Sequence, residues 1–272
     1  MRGNFDGPHR SSGSTKEKQA ELNEGVVAGR NSVRELLASG KDVDKIYLLS
    51  GEREGSVRQI VAIAAQLRIP VIEVNRQKLD LIVGSTAHQG VAAVIPQREY
   101  CSVEDILSAA REKGEPPFIV ICDGIEDPHN LGAVIRSAEC CGAHGIIIPK
   151  RRSVGLTPVV SKASAGALEH MPVARVTNIA AEIDKLKKAG IWVFAADMDG
   201  QDYFSSDMNI PCAVVLGSEG DGISRLVKEK CDFTVSIPMY GKVNSLNVSN
   251  AAAIIFAETA RQRHLKKNDS GV

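Results

Sequence analysis

The sequence predicts an α/β protein with a mostly parallel sheet covered by helices on both faces, preceded by a smaller α/β domain. Three observations support this. Phe118 to Cys122, Gly145 to Ile148 and Ala213 to Leu216 are near-continuous apolar runs, the pattern of strands buried on both faces. Segments of helical period alternate with them. A Gly/Pro cluster, Lys113-Gly114-Glu115-Pro116-Pro117, separates this alternation from a shorter one upstream.

Residues 1–24 are rich in Gly, Ser, Lys, Glu and Asn. They hold too little apolar surface to fold, and a disordered tail is expected. Residues 25–96 form the small domain. Val33, Leu36 and Leu37 give a short helix after Asn31 or Ser32. Lys45 to Leu49 is a strand, Val57 to Leu67 a helix, Val71 to Val74 a strand, Leu79 to Val83 a helix and Val91 to Ile95 a strand. Residues 97–117 are read as a linker carrying one helix, Val103 to Arg111. In the second domain, 118–267, strands are expected at Phe118 to Cys122, Gly145 to Ile148, Ile191 to Ala195, Ala213 to Leu216 and Phe233 to Ile237. Helices are expected at Leu131 to Cys141, Pro158 to Ala163, Ile179 to Ala189, Ile223 to Lys230 and Asn250 to His264. Residues 268–272 are a tail.

The 272 residues are 43% hydrophobic and 24% charged, with 33 basic and 33 acidic side chains. Zero net charge argues against a polybasic coat protein and leaves room for a nucleic-acid enzyme with a local basic surface. No apolar stretch approaches the roughly 18 residues of a membrane span, and the first 25 residues have no apolar core of a secretory signal. The six Cys form no C-x-x-C. They read as buried thiols in a reducing cytoplasm, so the sequon at Asn247 is expected to stay unmodified.

Several chemistries find no motif. There is no G-x-x-x-x-G-K-[ST] for an NTPase and no strand-linked G-x-G-x-x-G for a dinucleotide. H-E-x-x-H is absent and the six His are scattered, so no metal site is expected.

Three polar segments do stand out, each at a strand's carboxyl end, where α/β proteins bind ligands. The first runs from Asp123 through Asn130 and Gly132 to Arg136 and Ala138. Arg136 has Ala133, Val134, Ile135 and Ala138 as sequence neighbours. A cation in a buried stretch either forms a structural ion pair or faces a ligand. The second is Leu216-Gly217-Ser218-Glu219-Gly220-Asp221-Gly222, a glycine-dense turn after a buried strand. Its glycines either let backbone approach a ligand or serve a tight turn alone. The third runs from Ile237-Pro238-Met239 to Ser245-Leu246-Asn247-Val248-Ser249. Asn244, Ser245, Asn247 and Ser249 are more polar groups than capping the next helix requires.

In order and spacing, these segments resemble the motifs N-x-x-G-x-x-x-R-x-A, L-G-x-E-x-x-G, and I-P-M with S-L-N-V-S-x-A. They are the motifs of the SpoU (TrmH-type) branch of the SPOUT RNA methyltransferases, and the match spans residues 118–260. Residues 29–33 and His88-Gln89-Gly90 resemble the small substrate-binding domain of its RlmB-like members, which methylate a guanosine 2′-OH in 23S ribosomal RNA. The resemblance implies a C-terminal trefoil knot, a homodimer and S-adenosylmethionine as cofactor. It carries cofactor contacts to Gly217, Ile237 and Leu246 and catalysis to Arg136, Asn130, Glu219 and Asn247, with no metal, membrane or DNA partner. Arg136 is expected to stay charged, since a neutral guanidine would cost roughly 9 kcal/mol at pH 7. It would hold the phosphate beside the target ribose and stabilise the developing alkoxide. Lys150-Arg151-Arg152 is the best local cation patch for RNA, with Arg30, Lys242, Arg2 and Arg10 weaker ones. Gly217→Val is expected to harm cofactor binding more than stability. The alternatives are a transfer-RNA guanosine 2′-O-methyltransferase, a methyltransferase acting on a ribosomal adenosine, and a non-catalytic ribosome-assembly factor with the same fold.

Overall fold

The computed structural model describes residues 25–51 and 55–269; the tail expected at 1–24 lies outside them. The chain forms two compact units that divide between Pro96 and Gln97.

In the first unit the elements run β1 (Val26–Ala28), α1 (Arg30–Ala38), β2 (Lys45–Leu49), α2 (Ser56–Gln66), β3 (Val71–Val74), α3 (Arg76–Val83) and β4 (Val91–Val94). The sheet order is β1-β4-β2-β3. β2 and β3 are parallel, while β4 runs antiparallel to both β1 and β2. One face packs Val33, Leu36 and Leu37 of α1 and Val57, Ile60 and Ala64 of α2 against Ile46, Leu48, Val91 and Ala93. Leu79 of α3 closes the other face against Val74 and Ala92. β1 was not expected, because three half-buried residues carry no period of their own.

The second unit contains α4 (Val103–Glu112), β5 (Phe118–Asp123), α5 (Pro128–Cys140), β6 (Gly145–Pro149), α6 (Pro158–Ala163), β7 (Val173–Val176), α7 (Ile179–Lys188), β8 (Trp192–Asp202), β9 (Cys212–Gly217), α8 (Arg225–Lys230), β10 (Phe233–Ser236) and α9 (Val248–Asp269). Its six strands are all parallel, in the order β10-β8-β9-β5-β6-β7. The central strand shows why its sequence is apolar throughout. Phe118, Val120 and Cys122 enter one core, with Leu131, Val134 and Ile135 of α5 and Ile255 and Phe256 of α9. Ile119 and Ile121 enter the opposite core, with Ile106 of α4 and Ile183 and Leu186 of α7. A period of two thus delivers every residue to an apolar layer.

Several elements differ from expectation. β7 was missed, being four residues interrupted by Arg175. β8 continues to Asp202, through a register irregularity opposite Thr234 and Val235. β10 stops at Ser236, so Ile237 begins a loop. α9 runs to Asp269, so the tail expected from 268 begins inside a helix.

The reading of 97–117 as a linker is corrected. α4 opens with a capping box between Ser102 and Asp105, and its Val103, Ile106 and Ala110 are buried. This stripe, at spacings of three and four, lies directly on the sheet. A Cβ on Gly145 of β6 would stand 2.5 Å from Ile106 Cδ1, so only glycine lets the helix approach this closely. The Glu115–Pro117 stretch is fixed as well. Arg263 donates to Pro116 O at 2.6 Å and Pro117 O at 3.0 Å. Buried His144 accepts the Phe118 N–H at 3.0 Å through Nδ1.

Candidate active site

β5 and β9 are neighbours, in register as far as Asp123 opposite Gly217. From β5 the chain crosses to β6 on one side; from β9 it crosses towards β10 on the other. The carboxyl ends of β5 and β9 therefore flank a topological switch point, where open α/β sheets leave a crevice.

Each of the three motifs delivers one side chain there. After β5, Asp127 caps α5 by accepting the His129 N–H at 2.7 Å, and Pro128 occupies the first turn, a preferred place for proline. That fixes Asn130, 8% exposed, at the start of α5. After β9, Ser218 and Gly222 exchange backbone hydrogen bonds of 3.0 and 3.1 Å. The tight turn between them holds Glu219 outward. Before α9, Asn247 is the capping residue: its Oδ1 accepts the Ser249 N–H at 2.9 Å and the Ser249 hydroxyl at 2.6 Å.

These three side chains form a closed triangle. Asn130 Nδ2 donates to Glu219 Oε1 at 2.6 Å, Asn247 Nδ2 donates to the same oxygen at 2.6 Å, and Asn247 Nδ2 lies 3.0 Å from Asn130 Oδ1. Both amides spend N–H groups on one carboxylate oxygen. A charged acceptor makes such bonds short and strong.

Arg136 is not part of this cluster, and the expectation of a buried cation is corrected. It is exposed on α5, with no hydrogen bond or ion pair among the described residues. Helical phase explains this. Six residues separate Asn130 from Arg136, a rotation of about 240° and a rise of about 9 Å. The apolar neighbours in sequence occupy other faces of the helix.

The candidate cofactor residues divide. Gly217 is buried, and its φ is not in the left-handed region. What demands glycine is space: a Cβ would stand 2.5 Å from Gly222 O and nearer still to Gly222 C and Ile223 N. The turn itself therefore requires glycine on steric grounds, and a β-branched residue there must disrupt it. Ile237 is half-buried against the core that contains α5 and α9. Leu246 is 39% exposed, beside Asn247. Between them, no residue from 238 to 245 makes a hydrogen bond within the described structure, and Met239, Tyr240 and Val243 are exposed. Asn244 and Ser245 are exposed in the same loop.

A cleft of about 750 Å³ opens at the carboxyl ends of the strands, with Asn130 and Glu219 in its wall. Arg151 and Arg152 also line it, whereas Lys150 does not. Arg152 has φ +53°, a left-handed conformation uncommon for a non-glycine residue. Sequence reasoning placed Asp123 at the start of the first segment without a role, and missed Thr177 and Asn178 in this wall. Asp123 Oδ2 accepts the Ser224 N–H at 2.8 Å. Cys122 below is pushed up to about 12, first by burial and then by the Asp123 carboxylate. It remains a neutral thiol, not a nucleophile.

A parallel α/β sheet that gathers these three motifs into one site is the architecture of an RNA methyltransferase. Residues 117–257 match the model of the SpoU rRNA methylase family, and residues 26–101 match that of the RNA 2′-O ribose methyltransferase substrate-binding domain. The chain belongs to the SpoU/TrmH family and is an S-adenosylmethionine-dependent RNA methyltransferase. It is 48% identical over 239 residues to Bacillus subtilis YacO, named as a TrmH family tRNA/rRNA methyltransferase, covering 88% of this chain and 96% of that one. A Staphylococcus haemolyticus protein of the same family name is 46% identical over 240 residues, with the same coverage. Among solved structures, the SpoU methyltransferase AviRb of Streptomyces viridochromogenes, in complex with the cofactor AdoMet, is similar with a TM-score of 0.57 and 27% identity, covering 93% of this chain and all of that one. The TrmH/SpoU tRNA modifying enzyme of A. aeolicus is similar over 61% of this chain and 87% of its own, with a TM-score of 0.52 and 27% identity.

Proposed function

We propose that the protein methylates the 2′-OH of a guanosine ribose in 23S ribosomal RNA. The observation that carries this reading is the Asn130–Glu219–Asn247 cluster at the switch point, facing a cleft lined by Arg151 and Arg152. In this reading residues 25–96 bind the substrate RNA, and the second unit, knotted as the family implies, performs the transfer. The folded first unit favours ribosomal over transfer RNA, because the tRNA-modifying neighbour matches only 61% of this chain.

S-adenosylmethionine supplies a methyl group on a sulfonium that is already a good leaving group. The loop from Ile237 to Leu246 and the backbone at Gly217 hold it through peptide groups. Catalysis is then mainly positioning. Glu219 fixes both amides, and Asn130 and Asn247 orient the ribose. Arg136, charged throughout, holds the adjacent phosphate and stabilises the developing alkoxide, and the 2′-OH proton passes to solvent as the methyl group moves to the oxygen and S-adenosylhomocysteine leaves. The protein acts as a homodimer with its sites near the interface. Arg136, outward on α5, is available to a ribose bound by either copy.

The test is a map of 2′-O-methyl groups in RNA from a deletion strain. Loss of one 2′-O-methylguanosine from 23S RNA, restored by the wild-type protein, is the expected result. Loss from a transfer RNA with an unchanged 23S map would overturn the ribosomal assignment. Unchanged maps together with cofactor binding would identify a non-catalytic assembly factor.

A further inference from the structure

The first unit has a cleft of its own, of about 690 Å³. It lies beyond Leu49 at the end of β2. Three helices start in its wall: Arg30 is the first residue of α1, Ser56 of α2 and Arg76 of α3. Two of these three are guanidinium side chains, and Asn31 and Thr86 add neutral hydrogen-bonding groups. Among the described residues lining it, none is Asp or Glu. The described lining thus offers two guanidinium groups and no carboxylate.

The cleft is also braced. His88, 2% exposed, lies 2.8 Å from Asp80 Oδ1 through Nε2 and accepts the Gly90 N–H at 2.9 Å through Nδ1. Gln89, held between them at φ +53°, faces Arg30. Its Oε1 accepts the Arg30 backbone N–H at 3.0 Å, and its carbonyl accepts Arg30 Nε at 3.0 Å. Gln89 thus does the capping that Gly29 cannot, and the same residue aims the guanidinium. A left-handed non-glycine residue is strained and is retained where surrounding contacts over-determine it. Arg76, by contrast, is exposed, with no hydrogen bond or ion pair among the described residues.

We propose that this cleft grips the phosphodiester backbone of the RNA substrate, with Arg30 as the pre-aimed contact, Arg76 as the adaptable one, and Gln89 as the positioning residue. Guanidinium forks match phosphate oxygens. The proposal rests on the reading of residues 25–96 as the RNA-binding unit and names the surface that does the binding.

The test uses the full chain. Binding of in vitro transcribed 23S RNA and of bulk transfer RNA is measured against salt for wild type, Arg76→Ala and Arg76→Glu. Each lost phosphate contact lowers the slope of log K on log salt by about 0.7 to 0.9. Arg76→Ala is expected to lose that much with whichever RNA binds, and Arg76→Glu at least as much. Both should raise KM for RNA while leaving kcat at saturating RNA unchanged. Gln89→Ala, which removes the acceptor of the Arg30 backbone N–H, should weaken binding with the same sign. Wild-type slopes and affinities in both Arg76 variants, with melting curves confirming their fold, would overturn the proposal. So would binding of inorganic phosphate in the cleft with no change in RNA slope on mutation, which would mark a small-anion site. If wild type methylated neither RNA, the methylation reading would fall, while a slope change in the Arg76 variants would still stand.

Discussion

Asn247 and Glu219 are joined by a 2.6 Å hydrogen bond from the amide of one to the carboxylate of the other, and the same Asn247 caps α9 through its amide oxygen. The cap decides which end of the amide faces the site. With Oδ1 committed to the Ser249 N–H, Nδ2 is left pointing at Glu219.

This double use can be separated by mutation. Asn247→Asp keeps the capping oxygen, loses the donor and sets a second negative charge against Glu219. It is expected to melt within a few degrees of wild type and to lose at least tenfold in turnover. Asn247→Ala loses the cap too, which costs about 0.5 to 2 kcal/mol, so it should fail in both respects. Melting curves beside methyl-transfer rates separate the two roles. Equal activity in Asn247→Asp and wild type would remove the triangle from catalysis.

Arg136→Ala should leave stability within about 0.5 kcal/mol, since the side chain is exposed and makes no hydrogen bond or ion pair among the described residues. It should abolish methyl transfer while cofactor affinity stays near wild type. Arg136→Lys should fail as well, because one ammonium cannot engage two oxygens as a fork does. Retention of more than a tenth of wild-type turnover at saturating substrates would end the catalytic assignment.

Gly217→Ala is expected to destabilise even without cofactor. The added methyl has no room against Gly222 and Ile223, and overpacking of a close contact costs about 1 to 3 kcal/mol. A thermal melt of the cofactor-free protein checks this. A melt unchanged from wild type would show that the turn yields easily, returning Gly217 to a cofactor-only role.

Two truncations should behave differently. A fragment starting at Gln97 is expected to fold and bind S-adenosylmethionine while losing most RNA affinity. A fragment starting at Phe118 lacks α4 and uncovers the face on which Ile106 and Val103 lie. Each buried aliphatic side chain of that kind contributes about 1.5 to 3 kcal/mol, so the shorter fragment should aggregate. Solubility and calorimetric titration of the two fragments decide the matter.

Much of this was legible in the sequence, and the failures have physical causes. Strands buried on both faces, such as β5 and β9, announce themselves by unbroken apolar runs. The triangle was legible as three motifs, although nothing in their spacing shows that one carboxylate oxygen receives two amides. Arg136 was misjudged because neighbours in sequence are not neighbours on a helix face. α4 was read as part of a linker because the Gly/Pro cluster after it looked like a boundary, whereas Arg263 and His144 pin that stretch from residues far along the chain. β1 and β7 were too short to show a period.

The pairing of β5 with β9 also bears on how the protein is made. Phe118 meets Cys212 across the sheet, so the central strand emerges from the ribosome long before one of its two neighbours exists. At about 5 to 20 residues per second, that edge of β5 stays open for several seconds. Its side chains are among the most apolar in the chain, and non-local parallel pairing is slow to form. Nascent chains halted between β6 and β9 are therefore the species most in need of a chaperone.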